Sequence, residues 1–184
     1  MAKKKPVGPP ALLKLDLGCG DRKTEGYLGV DKHKTPSVDV VCDLTKYPWP
    51  WKDGAVEAIM CNHFFEHIPG KQRGIFMNEC YRILKVGGTM TIQGPYWSSM
   101  RSIQDYTHEW PPVAETSFLY FNKGWREQNK LQHYLDATCD FDFVYGHLLD
   151  AETTARGDEQ RQFWVRHYAN AVSDLSVTLT KRGQ

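Results

Sequence analysis

Short apolar segments recur along the chain and are separated by turn-forming residues. Seven of them predict strands: ALLKLDL, GYLGV, VDVVCDL, AVEAIMCN, GTMTIQG, FDFVYGHLL and VSDLSVTLT. The first five are nearly continuous apolar runs, which are typical of parallel strands buried on both faces. The last two can pair as an antiparallel edge. The pattern therefore predicts an α/β fold with a mostly parallel seven-stranded sheet and an antiparallel last strand.

Helical periodicity is clearest between Arg73 and Leu84, and Gly87 and Gly88 mark the end of this predicted helix. It would be the crossover from AVEAIM to TMTIQ. The earlier connections are short, and only six residues separate Asp31 from VDVV. A packed parallel crossover usually needs about a dozen. We therefore expect reduced helical cover after strands 1 and 2, with a dimer partner or the Trp-rich segment supplying cover.

Length and composition predict one domain. A chain of 184 residues with 41% hydrophobic content can bury one sizeable core. We interpret residues 1–10 as a disordered tail and residues 11–184 as a single domain. Within it, residues 95–130 form a long insertion with many aromatics and no steady period. Irregular segments of this length inside a domain are more often functional than idle.

Charge and cysteine content argue against several functional classes. The 23 basic and 22 acidic residues leave a net charge of +1, which gives no reason to expect a nucleic-acid track or an anionic membrane surface. The five cysteines are odd in number and form no C-x-x-C pair, which favours reduced thiols in a cytoplasmic protein. No apolar run approaches the roughly 18 residues that span a bilayer, and the lysines of MAKKKPVGPP lack the apolar core of a signal peptide.

The stretch LDLGCGDRKTEGYLGVD, residues 15–31, is similar to a nucleotide-binding turn. One apolar run ends in Gly18 and Gly20, and a second ends in Asp31. In Rossmann-type units an acid after the second strand takes ribose hydroxyls, usually about 20 residues after the glycines. Here the acid comes sooner. The stretch therefore indicates an adenosine site built without a long first helix.

In chain order, LDLGCG, GVD, CDL, CNHFFEH and YRILKVGG followed by TMTIQGPY resemble class I S-adenosylmethionine-dependent methyltransferases of the compact group called methyltransferase type 11. The resemblance covers roughly residues 11–149. It implies a Rossmann-like methyltransferase fold, S-adenosylmethionine as the cofactor and methyl transfer as the reaction. It also implies that residues 95–130 lie on the substrate side.

The resemblance implies a cofactor site at the ends of the first four strands. Gly18 and Gly20 would bend the backbone beneath the methionine part, where a Cβ would collide. Asp16 would accept from the ammonium, and Asp31 from both ribose hydroxyls. The other cofactor-binding residues expected are Cys19, Arg22, Asp43, Leu44, Asn62 and His63.

Two of these assignments have plain structural alternatives. Asp43 and Leu44 stand where the family binds adenine, but Asp43 can instead cap the turn into Thr45. Arg22, with Lys23, would replace the amides of the missing helix as the ligand of the cofactor carboxylate. Both cations can instead be solvated loop charges.

The acceptor side is predicted in PYWSSMRSIQDYTHEW, which begins just past the fifth strand. Methyl transfer from a sulfonium is an in-line displacement, so a base is needed only when the acceptor carries a proton. We expect His108, oriented by Asp105, as that base, the alternative being a loop histidine bonded to backbone. The expected acceptor-binding residues are Tyr96, Trp97, Tyr106, Trp110 and His67.

The segment CNHFFEHIP raises the question of a metal site. His63 and His67 lie four residues apart, but the zincin pattern requires Glu beside the first His, and Phe64 stands there. A metal-assisted transferase that uses these histidines with Asp105 or His108 is one interpretation. We prefer the interpretation without a metal, in which the Glu-His pair is structural or faces the substrate.

The sequence thus predicts methyl transfer to an oxygen or nitrogen of a small or medium-sized acceptor by a protein that can form a homodimer. CNHFF replaces the N-P-P-Y-type stretch of DNA amino methyltransferases, which argues against duplex DNA as the substrate. A flipped or free nucleobase stays open as an acceptor. Two different functions also stay open on this fold: a non-catalytic binding or scaffold protein, and an enzyme that uses the cofactor for other chemistry.

Overall fold

A computed structural model of the chain describes residues 12–133 and 136–183, and the tail expected at residues 1–10 lies outside them. The strands are β1 Leu13–Leu17, β2 Leu28–Asp31, β3 Val40–Val41, β4 Val56–Asn62, β5 Leu84–Pro95, β6 Phe141–Leu149 and β7 Val172–Lys181. They form one sheet in the order β3-β2-β1-β4-β5-β7-β6. Strand β7 is antiparallel to both neighbours, and the pairings among β1 to β5 are parallel. The predicted mostly parallel seven-stranded sheet is confirmed.

The helices are α1 Gly70–Ile83, α2 Met100–Ile103, α3 Lys123–Gln128, α4 Ala151–Thr154 and α5 Asp158–His167, and 3₁₀ turns cover Phe65–His67 and Glu115–Phe121. Helix α1 joins β4 to β5, as predicted. The helix begins three residues before the predicted Arg73 and ends at Ile83, one residue before the predicted Leu84, and Gly87 and Gly88 lie within β5. Gly87 has a φ of 73° and lies where the pairing of β5 with β4 is irregular.

The connections after β1 and β2 contain turns and, within the described chain, no helix, so the reduced cover is confirmed. Hydrogen bonds to the Asp39 side chain stabilise both connections. Asp39 Oδ2 accepts from Gly29 N at 2.8 Å and from Lys23 Nζ at 2.6 Å. Because this carboxylate ties both connections together, ordered turns replace the two helices.

The insertion at 95–130 contains short helices and two well-packed aromatic residues. Phe118 and Phe121 are buried, and the Phe118 ring stacks on Phe65 with centroids 6.0 Å apart. Arg126 is buried as well, and it donates to the carbonyl oxygens of Tyr120 and Cys139 at 2.8 Å each. The insertion is therefore a packed part of the fold.

Polar residues end the central strands at one edge of the sheet. Leu15 and Leu17 of β1 are fully buried, and the next strand ends in Asp31 and β4 ends in Asn62. In an open sheet of parallel strands, ligands bind at this carboxyl edge. The hydrophobic core thus fixes the positions of the polar residues that follow each strand.

Candidate cofactor and acceptor site

A cavity of about 490 Å³ lies at the carboxyl edge of the sheet. Its volume falls in the usual range for small-molecule sites, about 300–1,000 Å³. Five residues predicted from the sequence line it: Gly18, Asp31, Asp43, Leu44 and His67. Phe64, Ile68 and Thr107 complete the wall toward the insertion. The cavity therefore joins the predicted adenosine acids to the predicted acceptor side.

Asp31 is held by two backbone amides. Its Oδ2 accepts from Gly20 N at 3.1 Å and its Oδ1 accepts from His33 N at 2.9 Å. A carboxylate has about four acceptor positions, so lone pairs remain for further donors. The side chain is thus oriented before a ligand arrives, with acceptor capacity suited to a diol.

Asp43 is oriented by the turn that follows β3. Its Oδ1 accepts from Thr45 Oγ1 at 2.7 Å and Thr45 N at 3.1 Å, and Lys46 Nζ lies 3.1 Å from its Oδ2. The hydrogen bonds from Thr45, followed by that from Lys46, lower the pKa of Asp43 to about 2. The capping interaction expected as the structural alternative is present, and the same carboxylate lines the cavity.

Gly18 lies directly against an aromatic ring. Its φ is +71°, and a Cβ on this residue would lie 2.3 Å from two ring carbons of Phe64. In the sequence motif, a glycine is expected here only because a Cβ would collide with the cofactor. The close approach of Phe64 requires it as well, a contact for which the local sequence carries no signal.

Asp16 and Cys19 lie behind the cavity wall. Asp16 is buried and accepts from Thr24 N at 2.6 Å, and burial raises its pKa in spite of that bond. Cys19 Sγ lies 3.9 Å from Ser37 O, and burial raises its pKa, with a further contribution from the Asp16 charge. In this structure neither side chain lines the cavity.

Three other residues predicted to bind the cofactor stand apart from the cavity. Asn62 is exposed at the end of β4. Arg22 is exposed too: its backbone N donates to Cys19 O at 3.0 Å, and its side chain has no hydrogen bond or ion pair to the described residues. His63 Nδ1 lies 3.5 Å from Glu66 Oε1 and its Nε2 lies 3.8 Å from Asp174 Oδ2. Glu66 raises the pKa of His63. The structure thus separates His63 from the residues that line the cavity.

Comparison with known proteins identifies the fold. Residues 23–92 match a family model described as a methyltransferase domain. A SAM dependent methyltransferase from Archaeoglobus fulgidus aligns over 94% of this chain and 87% of its own, with 17% identity and a TM-score of 0.59. The sheet order agrees with the fold implied by the motifs. The chain therefore has the fold of S-adenosylmethionine-dependent methyltransferases, and its residues 23–92 are similar to a methyltransferase domain.

Two further solved structures share the fold of this chain at low identity. Geranyl diphosphate C-methyltransferase from Streptomyces coelicolor aligns over 96% of this chain and 74% of its own, with 14% identity and a TM-score of 0.53. The [4+2]-cyclase SpnF aligns over 94% and 76%, with 14% identity and a TM-score of 0.52. No curated protein matches the chain. These relatives support the fold and leave the acceptor open.

The residues that line the cavity suit the adenosine part of a ligand such as S-adenosylmethionine. Asp43 is ionised and Asp31 is fixed by two amides, so both are available as hydrogen-bond acceptors. Gly18 and Phe64 bound the same cavity.

In the described residues no helix is both long and apolar enough to cross a membrane.

The aromatic residues predicted to bind the acceptor do not line one pocket in the described structure. Tyr96 is buried and its hydroxyl donates to Glu115 at 3.0 Å, and burial raises its pKa to about 12. Trp97 lines a cavity of about 280 Å³ beside α5, and Trp110 lines one of about 610 Å³ beside α1. Tyr106 is 98% exposed.

The predicted pair of His108 and Asp105 is brought together. His108 Nε2 lies 3.7 Å from Asp105 Oδ2, which is longer than a hydrogen bond. His108 Nδ1 lies 3.2 Å from Ser102 O, so the backbone contact expected as the alternative is also present. The ring of His67 approaches that of His108 edge-on, with centroids 4.9 Å apart. Two imidazoles therefore lie side by side, and that of His67 lines the cavity.

Proposed function

We propose that the enzyme methylates an oxygen or nitrogen of a small or medium-sized acceptor that binds beside His67 and Thr107. The observation that carries this proposal is the shared cavity of about 490 Å³, which Asp31 and Asp43 line together with His67 and Thr107. An acceptor on that wall would face a cofactor whose adenosine is bound by the two acids.

Asp31 would bind the ribose hydroxyls, and Asp43 with Leu44 would bind adenine. The turn containing Gly18 and Gly20 would lie beneath the methionine part. When bound, S-adenosylmethionine supplies a methyl group on a cationic sulfur, and the protein aligns the acceptor with it. The outer cofactor contacts in this proposal are Asp16, Cys19, Arg22, Asn62 and His63, and those to the acceptor are Tyr96, Trp97, Tyr106 and Trp110.

His108 is the proposed general base. Its Nδ1 lies 3.2 Å from the carbonyl oxygen of Ser102, which favours a proton on Nδ1 and a free lone pair on Nε2. That lone pair would take the proton of an acceptor hydroxyl or amine as the acceptor atom bonds to the methyl carbon. Asp105, 3.7 Å away, would stabilise the imidazolium that results. The electrons of the broken carbon–sulfur bond stay on sulfur, and S-adenosylhomocysteine leaves.

The proposal includes a cytoplasmic location and a homodimer. All five cysteines are unpaired, which is usual in a reducing compartment. The edge strand β6 exposes Val144 at 70% and Tyr145 at 53%. Exposed apolar edge strands pair readily with another chain. Ultracentrifugation of the purified protein tests the dimer.

A binding protein without turnover is the strongest competing function, because the short connections after β1 and β2 reduce the helical cover of the cofactor side. Calorimetry with S-adenosylhomocysteine, followed by an assay of its release with a panel of metabolites, peptides, sugars and nucleobases, separates the two functions. We expect binding and turnover with at least one acceptor. Binding without turnover across the panel would favour the competitor.

Variants of the cavity acids and of His108 show which residues bind the cofactor and which act in turnover. Asp31→Asn with Asp43→Asn should weaken S-adenosylhomocysteine binding at least tenfold, because two charged acceptors are lost. Asp158→Asn is the matched control, since the side chain of Asp158 is 91% exposed on α5. His108→Gln should lower kcat and leave cofactor affinity unchanged. Equal affinity of the double variant and the control would refute the proposed cofactor site.

A further inference from the structure

We infer that Glu66, His67 and His108 form a binding site for a divalent transition-metal ion at the acceptor edge of the cavity. Each residue offers one ligand atom, and these atoms all lie within 4.8 Å of one another. Two imidazoles with one carboxylate are a donor set that suits Zn²⁺, Fe²⁺, Co²⁺ or Mn²⁺. The sequence favoured the interpretation without a metal, and the convergence of these three side chains in space favours the other.

Glu66 independently indicates a cation. Its side chain is only 8% exposed, and its Oε1 has no hydrogen-bond partner among the described residues. A buried carboxylate oxygen without a partner is costly. The other oxygen packs over Gly94, where a Cβ would lie 2.9 Å from Oε2. His63 Nδ1, at 3.5 Å from Oε1, is at the limit of a hydrogen bond. A bound cation would supply the missing partner.

Both imidazoles have the same orientation toward the backbone. His67 Nδ1 lies 3.2 Å from Thr107 O, and His108 Nδ1 lies 3.2 Å from Ser102 O. A histidine that donates its Nδ1 proton to a carbonyl presents the lone pair of Nε2, which is how metal-ligating histidines are usually oriented. The backbone thus favours the ligating tautomer of both side chains.

Hydrogen bonds join the two segments that carry the proposed metal ligands. Glu109 N donates to Glu66 O at 2.8 Å. The buried guanidinium of Arg73 donates to Ile68 O at 3.0 Å, Glu109 O at 3.1 Å and Pro111 O at 2.6 Å. These bonds link the 3₁₀ turn that bears Glu66 to the insertion. The donor set is therefore held together by the fold.

Small rotations of the three side chains would bring their ligand atoms to the spacing that a metal ion requires. Bonds of about 2.1 Å in tetrahedral geometry place ligand atoms about 3.4 Å apart, so the three atoms need to close by about 1 Å. Asp105 offers a fourth ligand, because its Oδ2 lies 3.7 Å from His108 Nε2 while its Oδ1 accepts from Thr107. A solvent molecule or the acceptor can complete the coordination.

The site has a consequence for the acceptor, and this part rests on the proposed function. His67 lines the same cavity as Asp31 and Asp43. A bound ion would occupy the Nε2 lone pair of His108, so in the metal-bound enzyme the ion would replace His108 as the group that activates the acceptor. It would bind oxygen atoms of an acceptor and lower the pKa of a hydroxyl. The acceptor class favoured is therefore a hydroxyl compound with a second oxygen nearby, such as a diol or a hydroxy acid.

The test uses the full chain without an affinity tag, stripped with a chelator. Zn²⁺ alone is titrated by calorimetry, and Co²⁺ alone is followed by its visible absorption, which reports nitrogen ligands and coordination geometry. We expect one ion per chain. His67→Ala, His108→Ala and Glu66→Gln should each weaken binding at least tenfold, while His63→Gln and the exposed His133→Ala should not.

Folding and cofactor binding are checked separately by the thermal unfolding midpoint and by calorimetry with S-adenosylhomocysteine. If His108→Ala unfolds, His108→Gln replaces it. Metal binding that is absent, or equal in wild type and all ligand variants, would overturn the site. Failure of S-adenosylhomocysteine binding with intact Zn²⁺ binding would overturn the proposed function alone.

Discussion

The ring of Phe64 packs directly on the backbone of Gly18, so that a Cβ at Gly18 would lie 2.3 Å from its carbons. This contact joins the turn after β1 to the segment after β4. Gly20, in the same turn, also has a positive φ, of 52°, but an added Cβ would meet nothing within 4 Å. The two glycines therefore separate the effect of backbone conformation from that of close packing.

Gly18→Ala should lower the free energy of unfolding by about 3 kcal/mol, the sum of the left-handed conformation and the overlap with Phe64. Gly20→Ala should cost about 1 kcal/mol, from conformation alone. Urea unfolding of both variants measures the difference. In a Phe64→Ala background the cost of Gly18→Ala should shrink by about 1 kcal/mol. Equal costs at the two glycines would contradict the packing explanation.

Arg22 and Lys23 are adjacent in sequence, but the structure gives them different surroundings. Lys23 Nζ pairs with Asp39 at 2.6 Å, whereas Arg22 is exposed. Lys23→Met should therefore lower stability slightly, because the pair is exposed, with little direct effect on the cofactor. Arg22→Ala should leave stability unchanged and weaken S-adenosylmethionine binding severalfold.

Calorimetry and thermal unfolding of these two variants distinguish the roles. Lys52→Met provides a control for the loss of an exposed lysine elsewhere. If Arg22→Ala binds S-adenosylmethionine like the wild type, a side chain does not replace the missing helix in binding the carboxylate.

The sheet was predictable because each strand appears in the sequence as a short apolar run, and the central strands β1 and β4 bury most of these residues. Helix α5 was not predicted, because none of its residues is buried and its sequence has no apolar stripe. Helix α2 and the turn at Glu115–Phe121 have four and seven residues, too few for a visible period.

The candidate site was likewise predictable only in part. Asp31 and Asp43 follow strands directly, so local motifs identified them. The contacts of Phe64 with Gly18 and of His67 with His108 join residues far apart in the chain. The first contact depends on how the segment after β4 packs on the turn after β1, and the second on how the insertion packs. Hydrophobic patterning specifies neither.

Glu79 ties the turn before β4 to α1. Its Oε1 accepts from Trp49 N at 2.6 Å and from Arg82 Nη2 at 2.6 Å, and its Oε2 accepts from Arg82 Nε at 2.9 Å. Burial works to raise its pKa, but the bonds from Arg82 and Trp49 prevail and lower it below 4.5. The stability from this carboxylate is therefore present above pH 4.5 and lost as pH falls through the folded-state pKa.

Glu79→Gln should cost about 2 kcal/mol at pH 7 and flatten the fall in stability below pH 4.5. Urea unfolding between pH 7 and pH 3 measures both effects. Glu127→Gln is the control, because that side chain is 57% exposed and its ion pair with Lys123 is long, at 3.9 Å. A parallel pH dependence in wild type and Glu79→Gln would show that another group controls acid unfolding.

Tyr96 is held by Glu115, and this contact predicts a structural role for its hydroxyl. The hydroxyl donates to the carboxylate at 3.0 and 3.1 Å, and His147 Nε2 lies 3.1 Å from the same group. The pKa of Tyr96 is raised to about 12, chiefly by burial, so the donor proton is retained at neutral pH. Tyr96→Phe should lower stability by about 1 kcal/mol and leave S-adenosylmethionine affinity unchanged.

The matched variant is Trp97→Phe, which alters the adjacent ring; the side chain of Trp97 is half exposed. If the acceptor contacts this stretch through Trp97, its KM should rise in Trp97→Phe and not in Tyr96→Phe. Thermal unfolding and steady-state kinetics on both variants provide the comparison. A fall in kcat/KM of tenfold or more in Tyr96→Phe, at unchanged stability, would instead mean that the hydroxyl leaves Glu115 to bind the acceptor.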